Sequence, residues 1–196
     1  MARRRGREAV RRVGALYDIH GNLPALEAVL CDVARHDVDL ILVGGDVVLG
    51  PMPCETLSTL QDLDIPVSYV RGNCDRNVVE QMRGAVTDKL PEQVRLRIDW
   101  VARQLDANDV QSMGTWPKTV SVAIAAQPVL FCHATPRNDN EIFTALTPGD
   151  RVLPALSDVD EPTIVCGHTH IQFDRKIGRH RVVNAGSVGM PFGKPG

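Results

Sequence analysis

The sequence predicts an α/β fold in which a parallel β-sheet faces a second, mostly antiparallel one. Strand, polar loop and helix alternate three times between Val13 and Asp75, the pattern of βαβ units with parallel strands. From Thr119 onward the texture turns to short β-prone runs split by turn residues. The length of 196 residues suits one domain with a real core and is short for two.

Val13-Gly14-Ala15-Leu16-Tyr17 is a short apolar strand that runs into Asp18-Ile19-His20-Gly21-Asn22. A helix follows, with Asn22 able to cap it, Pro24 in its first turn and Leu26, Val29, Leu30 and Val33 at helical spacing. Leu40–Val43 is a second buried strand closed by Gly44-Gly45-Asp46, and 53–63 reads as a helix with Leu57 and Leu60 inward. Val67–Val70 is a third strand, closed by Gly72-Asn73-Cys74-Asp75. Residues 91–105 read as a helix with Val94, Ile98, Val101 and Leu105 on one face, and 107–113 as a shorter one. This segment, about 84–113, forms a helical insertion in which Trp100 and Trp116 are expected as core anchors. Thr119–Ile124 and Val129–Cys132 are consecutive strands around an Ala125-Ala126-Gln127-Pro128 turn, and the second ends in His133. A helix over 149–156, the strand Thr163–Cys166 and a hairpin (172–177, then 181–183) complete the reading.

Composition narrows the function. With 43% hydrophobic and 23% charged residues the chain is ordinary globular material, and a net charge of −2 argues against a dedicated nucleic-acid binder. Six arginines crowd the first twelve residues; they read as a basic, flexible, solvated tail before a single domain spanning 13–196. There is neither a signal-peptide h-region nor a run of eighteen apolar residues, so a cytoplasmic location and no membrane partner are expected. Five scattered cysteines without a CxxC are no disulfide framework, and Cys132 and Cys166 read as small buried thiols.

Seven chemistry-bearing residues stand at or just past strand ends: Asp18, His20, Asp46, Asn73, His133, His168 and His170. In open α/β sheets ligands gather beyond the carboxyl ends of the strands. One histidine there would be an ordinary core imidazole; four with two aspartates form a ligand set. In extended chain His168 and His170 would face opposite ways, so the glycine-led loop at Gly167 must turn both inward. Imidazole and carboxylate donors suit first-row metals better than calcium. Seven exceed the needs of one ion with an open position and fit two, about 3.5–4 Å apart, sharing a carboxylate. Such a centre lowers the pKa of bound water and clamps the oxygens of an in-line displacement at phosphorus. With no paired Ser or Cys nucleophile and no GxxxxGKS/T loop, hydrolysis by a metal-bound hydroxide is the expectation.

Asp18-x-His20, Gly45-Asp46, Gly72-Asn73-x-Asp75, His133 and Gly167-His168-x-His170, in that order, resemble the calcineurin-like metallophosphoesterase superfamily. The likeness runs from about Val13 to Gly193 and points to its small bacterial and archaeal phosphodiesterase-like branch. It implies a four-layer αββα sandwich of two mixed β-sheets flanked by helices, with a dinuclear metal site at strand ends. Asp18, His20 and His170 would hold one divalent ion and Asn73, His133 and His168 the other, with Asp46 bridging. Catalysis would turn on Asp46, Asn73 and Asp75, the last acting from behind the ligands, and Asn22 and Arg137 would touch substrate. Manganese is the first expectation for the ions, with nickel, iron, zinc or magnesium as alternatives. The substrate would be a small phosphoester or a nucleotide-like molecule; a homo-oligomer is open. His36 and His180 match no motif and read as surface residues.

The pattern departs from the family at three places. Many members carry a histidine, used to protonate the leaving group, where Cys74 stands, which favours good leaving groups and phosphodiesters over monoesters. Val47-Val48-Leu49-Gly50-Pro51 lacks the arginine of the protein phosphatases' Gly-Asp-x-Val-Asp-Arg-Gly motif. Relatives usually continue with another strand after the Gly-Ser-Val segment, and this chain stops at Gly196. The rivals are a nucleotide pyrophosphohydrolase or protein phosphatase on the same metals, and a metal-binding protein-interaction scaffold like the retromer subunit of this fold. Specificity is expected to be set between Arg83 and Met113.

Overall fold

A computed structural model describes residues 9–85 and 90–192. Strands β1 (Val13–Leu16), β2 (Leu40–Val43) and β3 (Val67–Tyr69) form a parallel sheet in that order. Helices α1 (Leu23–Val33) and α2 (Pro53–Gln61) make its crossovers, and α3 (Asn73–Met82), α4 (Glu92–Ala102) and α5 (Ala107–Met113) follow it. The second sheet has the order β4-β5-β6-β8-β7, from β4 (Thr119–Ile124), β5 (Gln127–Cys132), β6 (Thr163–Cys166), β7 (Phe173–Ile177) and β8 (His180–Asn184).

Strand alternation sorts the side chains into three cores between four layers. Every residue of β2 is buried because both faces of its sheet are covered. Ile41 and Val43 enter the core under the helices with Leu26, Leu57, Leu60, Ile98 and Met113, whereas Leu42 turns to the other sheet. Between the sheets Leu42 meets Tyr17, Val70, Val129 and Phe131. The intervening Leu130 and Cys132 of β5 join Ile164 and Cys166 of β6 in the outer core, under a thin fourth layer. That layer includes α6 (Gly149–Val152) and a 3-10 turn (Leu153–Ala155), where Pro154 ends the helix expected over 149–156.

Several expectations change. The first sheet is purely parallel, not mixed, among the described residues. The second is mixed, not mostly antiparallel, because the tight β7–β8 hairpin sets β8 between β7 and β6, parallel to β6. Trp116 is a core anchor stacked on Tyr69, but Trp100 is 47% exposed. His36 is exposed as expected, whereas His180 is buried and donates from Nδ1 to the Glu161 carbonyl at 2.9 Å. Arg3, Arg4, Arg5 and Arg7 lie outside the described residues. Arg11 and Arg12 are not free chain: their amides donate to Asp39 Oδ2 at 2.7 and 2.9 Å. The described residues end at Phe192, so the expectation of a missing terminal strand falls outside them.

The β4–β5 connection is tighter than the four-residue turn expected, with only Ala125 (φ 47°) and Ala126 (φ 67°) between the strands. Two consecutive left-handed residues are what a two-residue hairpin of the right twist requires, and alanine resists that conformation by about 1–2 kcal/mol per residue. Exchanging the pair for Asn-Gly (Ala125→Asn with Ala126→Gly) should raise stability by about 1 kcal/mol. A urea-unfolding midpoint that stays or falls would show that the alanines carry no strain.

Candidate metal centre

Six of the seven expected residues come from loops leaving strand ends and the seventh, Asn73, from the helix that follows β3; the parallel pairings bring those ends to one edge of the sandwich. Asp18 and His20 follow β1, Asp46 follows β2, His133 follows β5, and His168 and His170 follow β6. Asn73 is the first residue of α3, a helix the sequence reading did not extract. The loops after β1 and β2 are zipped together: the amides of Asp18, His20 and Gly21 donate to the carbonyls of Gly45, Asp46 and Val47 at 3.1, 2.9 and 2.7 Å.

The backbone is strained where the donors are. Of eight non-glycine residues in the left-handed region among the described residues, five are Asp18, His20, Asp46, His168 and His170 (φ 50–66°). Such residues cost of order 1–3 kcal/mol each and persist only where surroundings over-determine them. This conformation is how His168 and His170, one residue apart, both come to the cluster. It also leaves no room beside His20, where a Cβ on Gly50 would fall 1.5 Å from the His20 carbonyl oxygen.

Three imidazoles are tethered from behind. Nδ1 of His133, His170 and His20 lies 2.8, 2.7 and 3.3 Å from the carbonyl oxygens of Gly44, Met190 and Leu49. A carbonyl only accepts, so Nδ1 donates in each case and the neutral ring presents an Nε2 lone pair to the cluster. His20 Nε2 and His170 Nε2 face each other at 3.2 Å. Asp18 Oδ1 lies 3.4 Å from His170 Nε2 and 3.8 Å from His20 Nε2, is fully buried and has no hydrogen-bond partner. Two lone pairs and an orphaned carboxylate oxygen at such range require a proton or a cation.

The donors gather as Asp18 with His20 and His170, and as Asp46 with His133 and His168; within each group the donor atoms lie within 4.8 Å. Asp46 Oδ2 sits between the groups, 3.9 Å from His20 Nε2 and 3.5 Å from His133 Nε2. Asn73 Oδ1 lies 3.0 Å from His133 Nε2. Mixed imidazole, carboxylate and amide oxygen around buried carboxylates, one of whose oxygens has no hydrogen-bond partner, is a donor set that fits divalent first-row cations.

Charge follows burial and neighbours. Burial opposes the Asp46 carboxylate's charge, but His133 and His20 beside it hold it far below the usual range. Burial lowers His133, and Asp46 and Asp18 outweigh it, carrying this imidazole up to about 10. His170 is raised in the same sense: Asp18 overcomes burial. His168 is lowered by burial and by His133. The Cys74 thiol is pushed well up by burial and by Asp46, so it stays protonated at neutral pH.

Asp75 stands behind the donors. Its carboxylate accepts from the amides of Asp46, Val47 and Gly72 at 2.8, 2.9 and 3.1 Å, so one side chain fixes two of the site's loops. Asn22 caps α1 through the Ala25 amide and donates to the Gly189 carbonyl, which leaves it at the rim of the cluster. Arg137 is not brought there: it pairs with Glu141, donates to the Pro154 carbonyl and lines a separate groove with Asp158 and Glu161. Sequence reasoning missed Asn184, buried at the end of β8, whose amide donates to the Gly167 carbonyl and Thr169 Oγ1. It also missed Ser187, which donates to the Asp18 carbonyl at 2.7 Å. Their signal was position: Asn184 ends β8 and Ser187 follows it, as the donors follow their strands.

Residues 12–196 match the calcineurin-like phosphoesterase superfamily domain. Phosphodiesterase YfcE of Escherichia coli K12 is 28% identical over 185 residues, covering 90% of this chain and 78% of its own. A metallophosphoesterase from Sphaerobacter thermophilus has a similar structure (TM-score 0.71, 26% identity, 93% of this chain and 78% of that one). A hypothetical protein from Pyrococcus horikoshii shares the fold with a TM-score of 0.80 at 20% identity, covering 91% of this chain and 77% of that one.

Titration should report the donor set. A histidine raised on folding contributes stability that is complete below its unfolded pKa of about 6.5 and is lost as pH climbs through its folded value. Metal-free protein should therefore lose stability between pH 7 and pH 10, the window of His133. A cation needs the neutral Nε2, so Mn²⁺ added at pH 8 should release about one proton per protein. Calorimetry in buffers of different ionisation enthalpy measures this; no release would place a neutral His133 in the metal-free state.

Proposed function

The chain belongs to the calcineurin-like phosphoesterase superfamily and is a phosphoester hydrolase, and on that premise we propose that it is a metal-dependent phosphodiesterase. The observation that carries this reading is the orphaned Asp18 oxygen, facing imidazole nitrogens whose other nitrogens are tied to carbonyls. On this reading Asp18, His20 and His170 hold one divalent ion, Asn73, His133 and His168 hold a second, and Asp46 is shared. Two such ions supply an activated water and charge stabilisation on the phosphoryl oxygens.

The protein's own part is positional. The carbonyls of Gly44, Leu49 and Met190 fix the ring planes and tautomers, so the donors need little reorganisation. Asp75 holds the loops that carry Asp46 and Asn73. Cys74 lies where relatives offer a histidine, and a thiol raised by burial and by Asp46 is a poor proton donor to a departing alkoxide. This favours substrates whose leaving group departs unaided, and favours diesters over monoesters. The assignment extends to residues 13–196 as one domain, manganese as the working ion, and action in the cytoplasm on a small phosphoester.

Metal-stripped protein refilled with Mn²⁺, Ni²⁺, Zn²⁺ or Mg²⁺ should cleave bis-p-nitrophenyl phosphate faster than p-nitrophenyl phosphate. Asp46→Asn should lower that rate by at least about 100-fold. Folded protein that binds two ions and turns over neither compound with any metal would sink the hydrolase reading.

A further inference from the structure

Beside the donor cluster lies a cavity of about 560 Å³ that shares His20 as a wall. Its floor and near side are Asn22, Leu49, Gly50, Pro51, Gly189 and Met190, from the loops after β1, β2 and β8. The far side is α4, through Leu96, Arg97, Trp100 and Val101. The size is that of a small-molecule site, and the lining is mainly apolar with few polar groups.

Helix α4 has more apolar surface than its packing uses. Ile98, Val101 and Ala102 fill the core under the first sheet, with Val94 against them. Leu96 and Trp100, one turn apart, stay 63% and 47% exposed. An exposed Leu–Trp pair on a helix is ordinary alone, but this one lines a cavity that His20 of the donor cluster also lines. The cavity is joined to that cluster by more than proximity. Leu49 and Met190, two of its wall residues, supply the carbonyls that orient His20 and His170. Arg97 at the mouth has no ion-pair partner among the described residues.

We propose that this cavity is the leaving-group subsite, in which Trp100 stacks on a flat aromatic arm of the phosphoester while the phosphate sits at the donor cluster. Leu96 closes the stack, and Arg97 faces the substrate's remaining anionic charge. The shared chemistry of the ligand is a planar aromatic ring on the ester arm, bonded to the ester oxygen itself in an aryl ester and carried across a ribose in a nucleotide. The assignment rests on the phosphodiesterase reading for its phosphate position, and it names the substrate class that reading leaves open.

AMP, phenyl phosphate and ribose 5-phosphate titrated calorimetrically into Mn²⁺-loaded protein test it, since all three carry a phosphate and the last has no ring. The aromatic ligands should bind at least about tenfold more tightly than ribose 5-phosphate, the scale of one base stacked on an aromatic side chain. Trp100→Ala should erase that ratio, and Trp100→Phe should restore most of it, a rescue that a purely structural role would not give. AMP alone showing the preference identifies a nucleotide arm; phenyl phosphate matching AMP identifies an aryl arm. Equal affinity for all three, or a ratio indifferent to Trp100→Ala in protein of unchanged thermal midpoint, overturns the subsite. Ring selectivity without turnover of any diester would leave the subsite standing and remove the hydrolase reading; turnover without ring selectivity would do the reverse.

Discussion

The structure turns on two carboxylates, Asp18 and Asp46, buried at the ends of adjacent parallel strands. Burying carboxylates is costly unless their oxygens are satisfied, and here that is incomplete: one oxygen of Asp18 has no hydrogen-bond partner. The rest of the site follows from that deficit. His20, His133 and His170 come within 4 Å of the Asp18 oxygen, and each turns a protonated Nδ1 away to a backbone carbonyl. Five donors accept left-handed backbone to get there. Strain of this kind is kept only where the surroundings hold it, and the three packed cores supply that restraint.

Those cores reach the site through specific atoms. Tyr17 is buried between the sheets and donates to the Val165 carbonyl at 3.0 Å, so the strand carrying Asp18 and the strand carrying the His168–His170 loop are fastened together. The second oxygen of Asp18 accepts the His168 amide at 2.8 Å across the same gap. Arg76 of α3 holds Asp139 at 2.8 Å and thereby ties the helix that begins at Asn73 to the loop after His133. Each donor is thus fixed both by its own strand and by a bond to a neighbour from another loop.

Much of this was legible in the chain. Apolar runs ending in glycine and then Asp, Asn or His marked where the strands stop and what they carry, and periodicity placed α4 and α5 to within a few residues. What escaped depended on contacts between distant segments. His180 looked like a surface residue because no motif contains it, yet it is buried against the Glu161 carbonyl. The parallel pairing of β6 with β8 was hidden because a hairpin in sequence does not tell which of its strands joins the sheet. Arg137 sits four residues past His133 and was read as a substrate contact, but Glu141, four residues further on, takes it. Carbonyls that orient histidines leave no mark in a sequence, since every residue has one.

The exposure of Trp100 is visible in the chain's own periodicity. The apolar face read for α4 was Val94, Ile98, Val101 and Leu105, and position 100 does not lie among them. A tryptophan off the core face of a helix is left to the surface, and here it lines the cavity beside the donor cluster. The consequence is a division of labour. Strand ends, which cannot shift without disturbing three cores, hold the groups that would do chemistry. An adjoining helix, held in the core by one face, turns Leu96 and Trp100 to the cavity. The two meet at Leu49 and Met190, whose carbonyls face the imidazoles while the residues line the cavity. The cavity wall and the backbone that orients His20 and His170 are therefore the same two residues.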